Sequence, residues 1–329
     1  MPISQQLLQS VTTGTPQQAW TFVTDYLWTT FSQAIPAAVA AAEVVKRERD
    51  LTELENVVSC SAWDMWEHFE SSVPKASQAI VDFWTNTNGG KAVLILDGLS
   101  LRELPFLHEE ATKRGYKIYQ ATVRGSELPA ETTYFANALG FSQRSSLESN
   151  RAGSAHKLTG AGTESSDLNW MDCIQHVGNQ EGFVFWHHWP DDRLHDLSKP
   201  GEGLHKLARE IYTGLTSDDF WKFVERLASG RRLVITSDHG YAACGHFPDL
   251  VDKDQVAYMK KLFKNGRTAD STSEDGSWVP PIDLRLTTSH GTHQYVLGRR
   301  KWKSPSGYPT LHHGGLSLLE VFVPFIEMS

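Results

Sequence analysis

Two apolar runs in this chain end on acid. Lys91-Ala-Val-Leu-Ile-Leu-Asp97-Gly98 stops at a carboxylate followed by glycine, and Arg232-Leu-Val-Ile-Thr-Ser-Asp238-His239-Gly240 repeats the pattern with an imidazole added. Either aspartate alone reads equally well as the cap of a following helix. The Asp-His pair tips the reading towards metal, because carboxylate and imidazole are both zinc ligands. A third cluster, Asp191-Asp-Arg-Leu-His195, follows Trp189-Pro190. One helical turn would point Asp191 and His195 the same way, although Pro-Asp-Asp is also ordinary turn chemistry. The fourth is Pro309-Thr-Leu-His312-His313-Gly314-Gly315-Leu316-Ser317, where the glycines permit close backbone approach. A mixed Asp/His set suits two zinc-like ions better than magnesium alone, which prefers oxygen ligands and retained water.

These clusters need a scaffold that delivers them to one place. The runs before Asp97 and Asp238 have no polar alternation, which reads as strands buried on both faces and therefore parallel in an α/β sheet. Their acids then fall at carboxyl ends, where open α/β sheets place ligands. Gly182-Phe-Val-Phe-Trp-His-His188 is a third such strand, leading into Asp191. Between these lie an expected helix at Leu101–Arg114, a strand at Lys117–Val123 and a helix at Glu131–Leu139. Ser142–Asp167 reads as a long surface insertion, rich in Ser, Gly and charge. A short helix over Leu168–Val177, one long amphipathic helix over Leu204–Ser229 and a helix over Asp252–Phe263 follow. Lys264–Pro281 reads as loop, and Gln294–Gly298 and Glu320–Ile326 as the last strands. Residues Thr15–Asn86 are expected to be helical, with apolar spacing from Pro16 to Trp28 and an alanine-rich stretch at Pro36–Arg49. The expected fold is α/β, a mostly parallel central sheet sandwiched by helices. A helical N-terminal region, 1–88, precedes a catalytic domain, 89–329.

Composition narrows the function. A net charge of −8 argues against a generally basic nucleic-acid scaffold, while leaving room for a local basic groove. Cys60, Cys173 and Cys244 are isolated, so a reducing compartment is expected and a thiolate zinc site is not. No basic-then-apolar leader opens the chain, and no apolar run approaches the roughly 20 residues of a membrane span. A cytoplasmic location with no membrane partner is the expectation.

The ordered set Asp97-Gly98, Pro129-Ala-Glu-Thr132, Asp191-x-x-x-His195, Asp238-His239-Gly240 and His313-Gly314 resembles the alkaline phosphatase superfamily. Within it, the ending His313-Gly-Gly-Leu-Ser-Leu-Leu-Glu-Val-Phe-Val-Pro324 resembles the PglZ domain family, associated with bacteriophage exclusion. The resemblance runs from about Lys91 to Ile326. It implies an alkaline-phosphatase-like catalytic domain holding two divalent metal ions, zinc with manganese or magnesium as alternatives. Asp97, Asp238 and His239 would hold one ion, and Asp191, His195 and His313 the other. Thr132 would be the nucleophile, at a helix start where free N–H groups favour phosphate, with Thr133 and Ser126 as competitors. His312, His290 and His293 remain rivals to His313. The family commonly has an arginine soon after the first aspartate; here Gly98-Leu-Ser100-Leu precedes Arg102, so a phosphate contact by Arg102 is left open. The implied activity is a metal-dependent phosphodiesterase or phosphatase acting on nucleotides or oligonucleotides in phage defence. The alternative is an inactive scaffold or regulatory subunit of a phage-exclusion complex. In both readings the N-terminal helices are the surface for protein partners.

Overall fold

Strand β1 (Lys91–Leu96) lies at the middle of a six-stranded sheet, and beyond Lys91 every residue of it is buried. Leucine, isoleucine and valine with no polar alternation leave such a strand no solvent face. The computed structural model describes residues 4–199, 201–271, 276, 278–305 and 307–329. The other strands of the sheet are β2 (Ile118–Gly125), β3 (Gly162–Ser166), β4 (Gly182–His187), β5 (Arg232–Thr236) and β9 (Phe322–Met328), in the order β2-β9-β5-β1-β4-β3. Strands β1, β3, β4 and β5 run parallel, whereas β9 inserts antiparallel between β2 and β5. The architecture is α/β with a mostly parallel sheet.

Alternate residues of the sheet feed two cores. Ala92, Leu94, Leu96, Phe185, Leu233 and Ile235 pack on one side, with helices α11 (Leu204–Leu215) and α12 (Asp218–Ala228). Val93, Ile95, Val184, Trp186 and Val234 face the other, against helices α6 (Ala76–Asn86) and α8 (Thr132–Leu139). The N-terminal helices α1 (Gln5–Thr13), α2 (Pro16–Phe31), α3 (Ala40–Asp50), α4 (Thr52–Cys60) and α5 (Phe69–Ser72) belong to the first of these cores. Trp20 meets Phe322 of β9 at 5.8 Å between ring centroids. Helices α7 (Leu104–Lys113), α9 (Trp170–His176), α10 (Asp191–Asp196), α13 (Lys253–Phe263) and α14 (Leu318–Val321) complete the set.

Several sequence expectations change. The long helix expected over Leu204–Ser229 is two: Ser217 caps the second, its hydroxyl accepting from Phe220 N at 3.2 Å, with Asp218 and Asp219 in the first turn. The apolar period continues across the break, which hides it. The insertion expected over Ser142–Asp167 contains β3, an edge strand whose Gly-Thr-Glu-Ser-Ser sequence carries no apolar signal. The segment expected to be loop over Lys264–Pro281 contains β6 (Thr268–Asp270), although 272–275 and 277 lie outside the described residues. With β7 (Asp283–Thr288) and β8 (Gly291–Val296) it forms a second, antiparallel sheet in the order β6-β8-β7. The strand expected from Glu320 begins instead at Phe322, after the short helix α14.

A fully buried ion pair joins this small sheet to the main one. Arg267 donates from Nε to Glu320 Oε1 at 2.6 Å and from Nη2 to Glu320 Oε2 at 2.9 Å. Its remaining donors reach Gly298 O and Arg300 O, while Glu320 also accepts from Gly315 N and from Ser317 N and Oγ. Breaking such a pair from one side leaves an uncompensated buried charge. Glu320→Ala should therefore lower unfolding free energy by about 3–5 kcal/mol in urea titration. Arg267→Met/Glu320→Leu should recover only part of it, because the backbone groups the pair serves lose their partners. A single-variant loss within about 1 kcal/mol would show that the pair is dispensable.

Candidate metal centre

The three central strands end side by side. Leu96 is level with His187 of β4, and Ile95 with Thr236 of β5, so the segments that follow converge. Asp191 N donates to Asp97 O at 2.9 Å, Gly98 N to Asp238 Oδ1 at 3.0 Å, and Ser237 Oγ to Leu96 O at 2.7 Å. Gly98 has φ +71°, and a Cβ there would stand 3.2 Å from Asp191 Oδ1. Glycine is required by both the dihedral and the approach.

Two sets of donors result, each with its atoms within 4.8 Å of one another: Asp97, Asp238 and His239, and Asp191, His239 and His313. His239 is common to both. Its Nδ1 lies 2.9 Å from Gly240 O, which turns Nε2 towards Asp97 Oδ1 and Asp238 Oδ2, each at 3.5 Å. A carbonyl partner of this kind fixes ring orientation and tautomer. The His313 ring stacks on His239 at 4.3 Å, and its Nε2 is 3.9 Å from Asp191 Oδ1, too far for a hydrogen bond. His195 stands at the mouth, more than half exposed, with Nε2 3.2 Å from Asp191 Oδ2. It therefore reaches Asp191 from outside the tight set.

Thr132 opens α8, with Glu131 as the extended residue before it. Its hydroxyl donates to Asp238 Oδ2 at 2.8 Å, and lies 3.3 Å from Asp97 Oδ1 and 3.4 Å from His239 Nε2. Thr133 lines the same cleft, of about 400 Å³, but is exposed. Ser126 is wholly buried and bonds Glu127 O. His312 turns its Nδ1 back to its own loop, 2.8 Å from His313 N. His290 pairs with Glu127 at 3.0 Å and His293 with Tyr134 Oη at 3.0 Å, both outside the two donor sets. Arg102 is buried, donating to Glu48 at 3.0 Å, Tyr241 O at 2.8 Å and Ser100 Oγ at 2.9 Å. That guanidinium serves the core and does not line the cleft.

Several cleft residues lie outside the expected set, and one of them touches the cluster itself. Arg144, from the segment expected to be a surface insertion, forms an ion pair through Nη1 with Asp97 Oδ2. A lone arginine in a polar stretch carries no sequence signal of such a place. Gln143, Ser145 and His188 also line the cleft.

The charge balance of the cluster is uneven. Burial, reinforced by Asp238 and Asp191, pushes the Asp97 carboxyl well above the usual range. Burial works the same way on Asp191, but the His195 hydrogen bond and the His313 and His239 imidazoles outweigh it and hold that carboxyl low. Burial would lower His239, yet Asp238, Asp97 and Asp191 raise it to about 9. Burial and the neighbouring His239 push His313 well below its ordinary value. Asp191 Oδ1 and His313 Nδ1 are buried without hydrogen-bond partners. Unpaired nitrogen and oxygen donors, gathered with two further carboxylates and an imidazole, fit a divalent metal ion.

No protein-family model matches the chain, and no curated protein matches it. Among solved structures it is similar to murine ectonucleotide pyrophosphatase/phosphodiesterase 5, inactive and in complex with AMP, at 12% identity and a TM-score of 0.44, over 72% of this chain and 87% of that one. It is likewise similar to the human ectonucleotide pyrophosphatase/phosphodiesterase 5, at 13% identity and a TM-score of 0.45, over the same shares.

Proposed function

We propose that this chain is a metal-dependent phosphoric ester hydrolase with Thr132 as its nucleophile. The observation that carries the reading is the Thr132 hydroxyl, which points into a buried Asp/His cluster from the first residue of a helix. Asp97, Asp238 and His239 would hold one divalent ion, and Asp191, His313 and His195 the other, with His239 near both. Bound there, divalent ions supply Lewis acidity and neutralise charge on a phosphoryl group. Thr132 Oγ1 attacks phosphorus and its proton leaves towards the Asp238 carboxylate that already accepts it. The ester P–O bond breaks meanwhile, and the alcohol departs with a proton taken from solvent. The amino end of α8 adds a field that favours the phosphoryl oxygens. Water then hydrolyses the phosphothreonine and restores the hydroxyl.

The finer assignment follows the sequence resemblance to the PglZ family. The substrate would be a nucleotide or oligonucleotide, the setting bacteriophage defence in the cytoplasm, and the N-terminal helices the contact for protein partners. Zinc is the preferred ion on its nitrogen donors. Asp238→Ala should lose at least one metal equivalent by elemental analysis and lose hydrolysis while staying folded. Near-stoichiometric metal with full activity in that variant would remove Asp238 from the site.

Substitutions separate the remaining alternatives. Thr132→Ala should keep its metal nearly intact yet lose turnover by at least about 10²-fold, with Thr132→Ser retaining part of it. Thr133→Ala should be tolerated better, since the next helical position turns about 100° away. The reverse ranking would move the nucleophile to Thr133. His313→Ala should cost one metal equivalent and His312→Ala none; equal full activity in both would displace the ligand to another histidine.

A further inference from the structure

We propose that Arg144 is a built-in stand-in for a metal ion, a guanidinium that a divalent ion must displace from Asp97 before the site is loaded. The inference rests on reading the cluster as a metal centre. Asp97, Asp191 and Asp238 crowd one cleft, and Asp97 and Asp238 are wholly buried. Among the described residues the arginine lining that cleft is Arg144. Its Nη1 takes Asp97 Oδ2, while Asp97 Oδ1 faces Thr132 and His239. An oxygen engaged by a guanidinium has to give up that charge-assisted bond before it can coordinate.

Arg144 is held in place by its own segment. Leu147, three residues on, is buried in the second core. Thr163 Oγ1 donates to Leu147 O at 3.0 Å, Thr163 N to Asn150 Oδ1 at 3.0 Å, and Ser149 N to Glu164 Oε1 at 3.0 Å. Edge strand β3 thus fixes the backbone that carries the arginine. The side chain itself is a quarter exposed, which leaves the guanidinium a solvent-facing direction out of the cluster. Two consequences follow. Without metal, Arg144 offsets repulsion among the carboxylates and supports the empty site. With metal, the exchange of one cation for another lowers the apparent affinity.

The test uses the full chain, stripped with chelator and titrated with zinc in phosphate-free buffer against a competing chromophoric chelator. Arg144→Gln should bind its first zinc about 10-fold more tightly than the parent chain, about 1.4 kcal/mol. The metal-free variant should melt at a lower temperature, and the zinc-loaded one at the parent's. Arg144→Lys, which keeps the charge without the planar fork, should fall between, and it decides the question if Arg144→Gln does not fold without metal. Zinc affinity equal to or weaker than the parent's in a folded variant overturns the proposal. A parent chain that takes up no divalent ion instead overturns the reading of the cluster as a metal centre, a separately recognisable result.

Discussion

Three buried carboxylates, Asp97, Asp191 and Asp238, stand close together in this fold, and the structure around them is arranged to offset their repulsion. Like charges about 4 Å apart repel by about 4 kcal/mol at an effective dielectric near 20. Asp97, Asp191 and Asp238 arrive together because three parallel strands, β4, β1 and β5, end in register. The compensation is local and polar. The backbone N–H of Gly98, the Thr132 hydroxyl, the His239 ring and the Arg144 guanidinium all meet the carboxylates. The compensation is incomplete at Asp97, where burial and the two neighbouring carboxylates push the carboxyl well above its usual range.

His313 reaches the cluster by a different route, from a loop between the two sheets. Gly314, with φ +99°, brings the chain so close that a Cβ would stand 2.9 Å from Glu131 Oε1 and from Thr268 Oγ1. Glu320, held by Arg267, collects the N–H groups of Gly315 and Ser317. The closing motif of the sequence is therefore a device for positioning one imidazole. Its glycines admit the close approach, and its glutamate locks the loop to the small sheet.

The central strands were legible because a strand buried on both faces has to be apolar throughout, and an acid at its end stands out. Thr132 was singled out only through the resemblance, since a helix-opening threonine is common on its own account; its hydroxyl lies against Asp238. Strand β3 was not legible: it is an edge strand of Gly, Thr, Glu and Ser, paired by backbone and covered by the Arg144–Asn150 segment. Arg144 itself was hidden for the same reason, because its place depends on how that polar segment lies along β3. The break at Ser217 was written in the sequence as a serine followed by two aspartates, but the uninterrupted apolar period spoke louder. Arg102, left open as a phosphate contact, is committed to Glu48, a partner 54 residues away that no local pattern discloses.

That partner has implications for how the chain can be divided. Glu48, on α3, accepts from Arg102 and from Arg299 at 2.6 Å, and Glu55 on α4 accepts from Arg299 at 3.0 Å and from Leu318 N at 2.6 Å. All four side chains are buried. A fragment beginning at β1 would keep two guanidinium groups in its interior and leave both of their carboxylates behind. Modular shuffling of the strand-bearing portion onto other amino-terminal extensions would then be constrained electrostatically: any replacement extension has to bring two acids to the same two places.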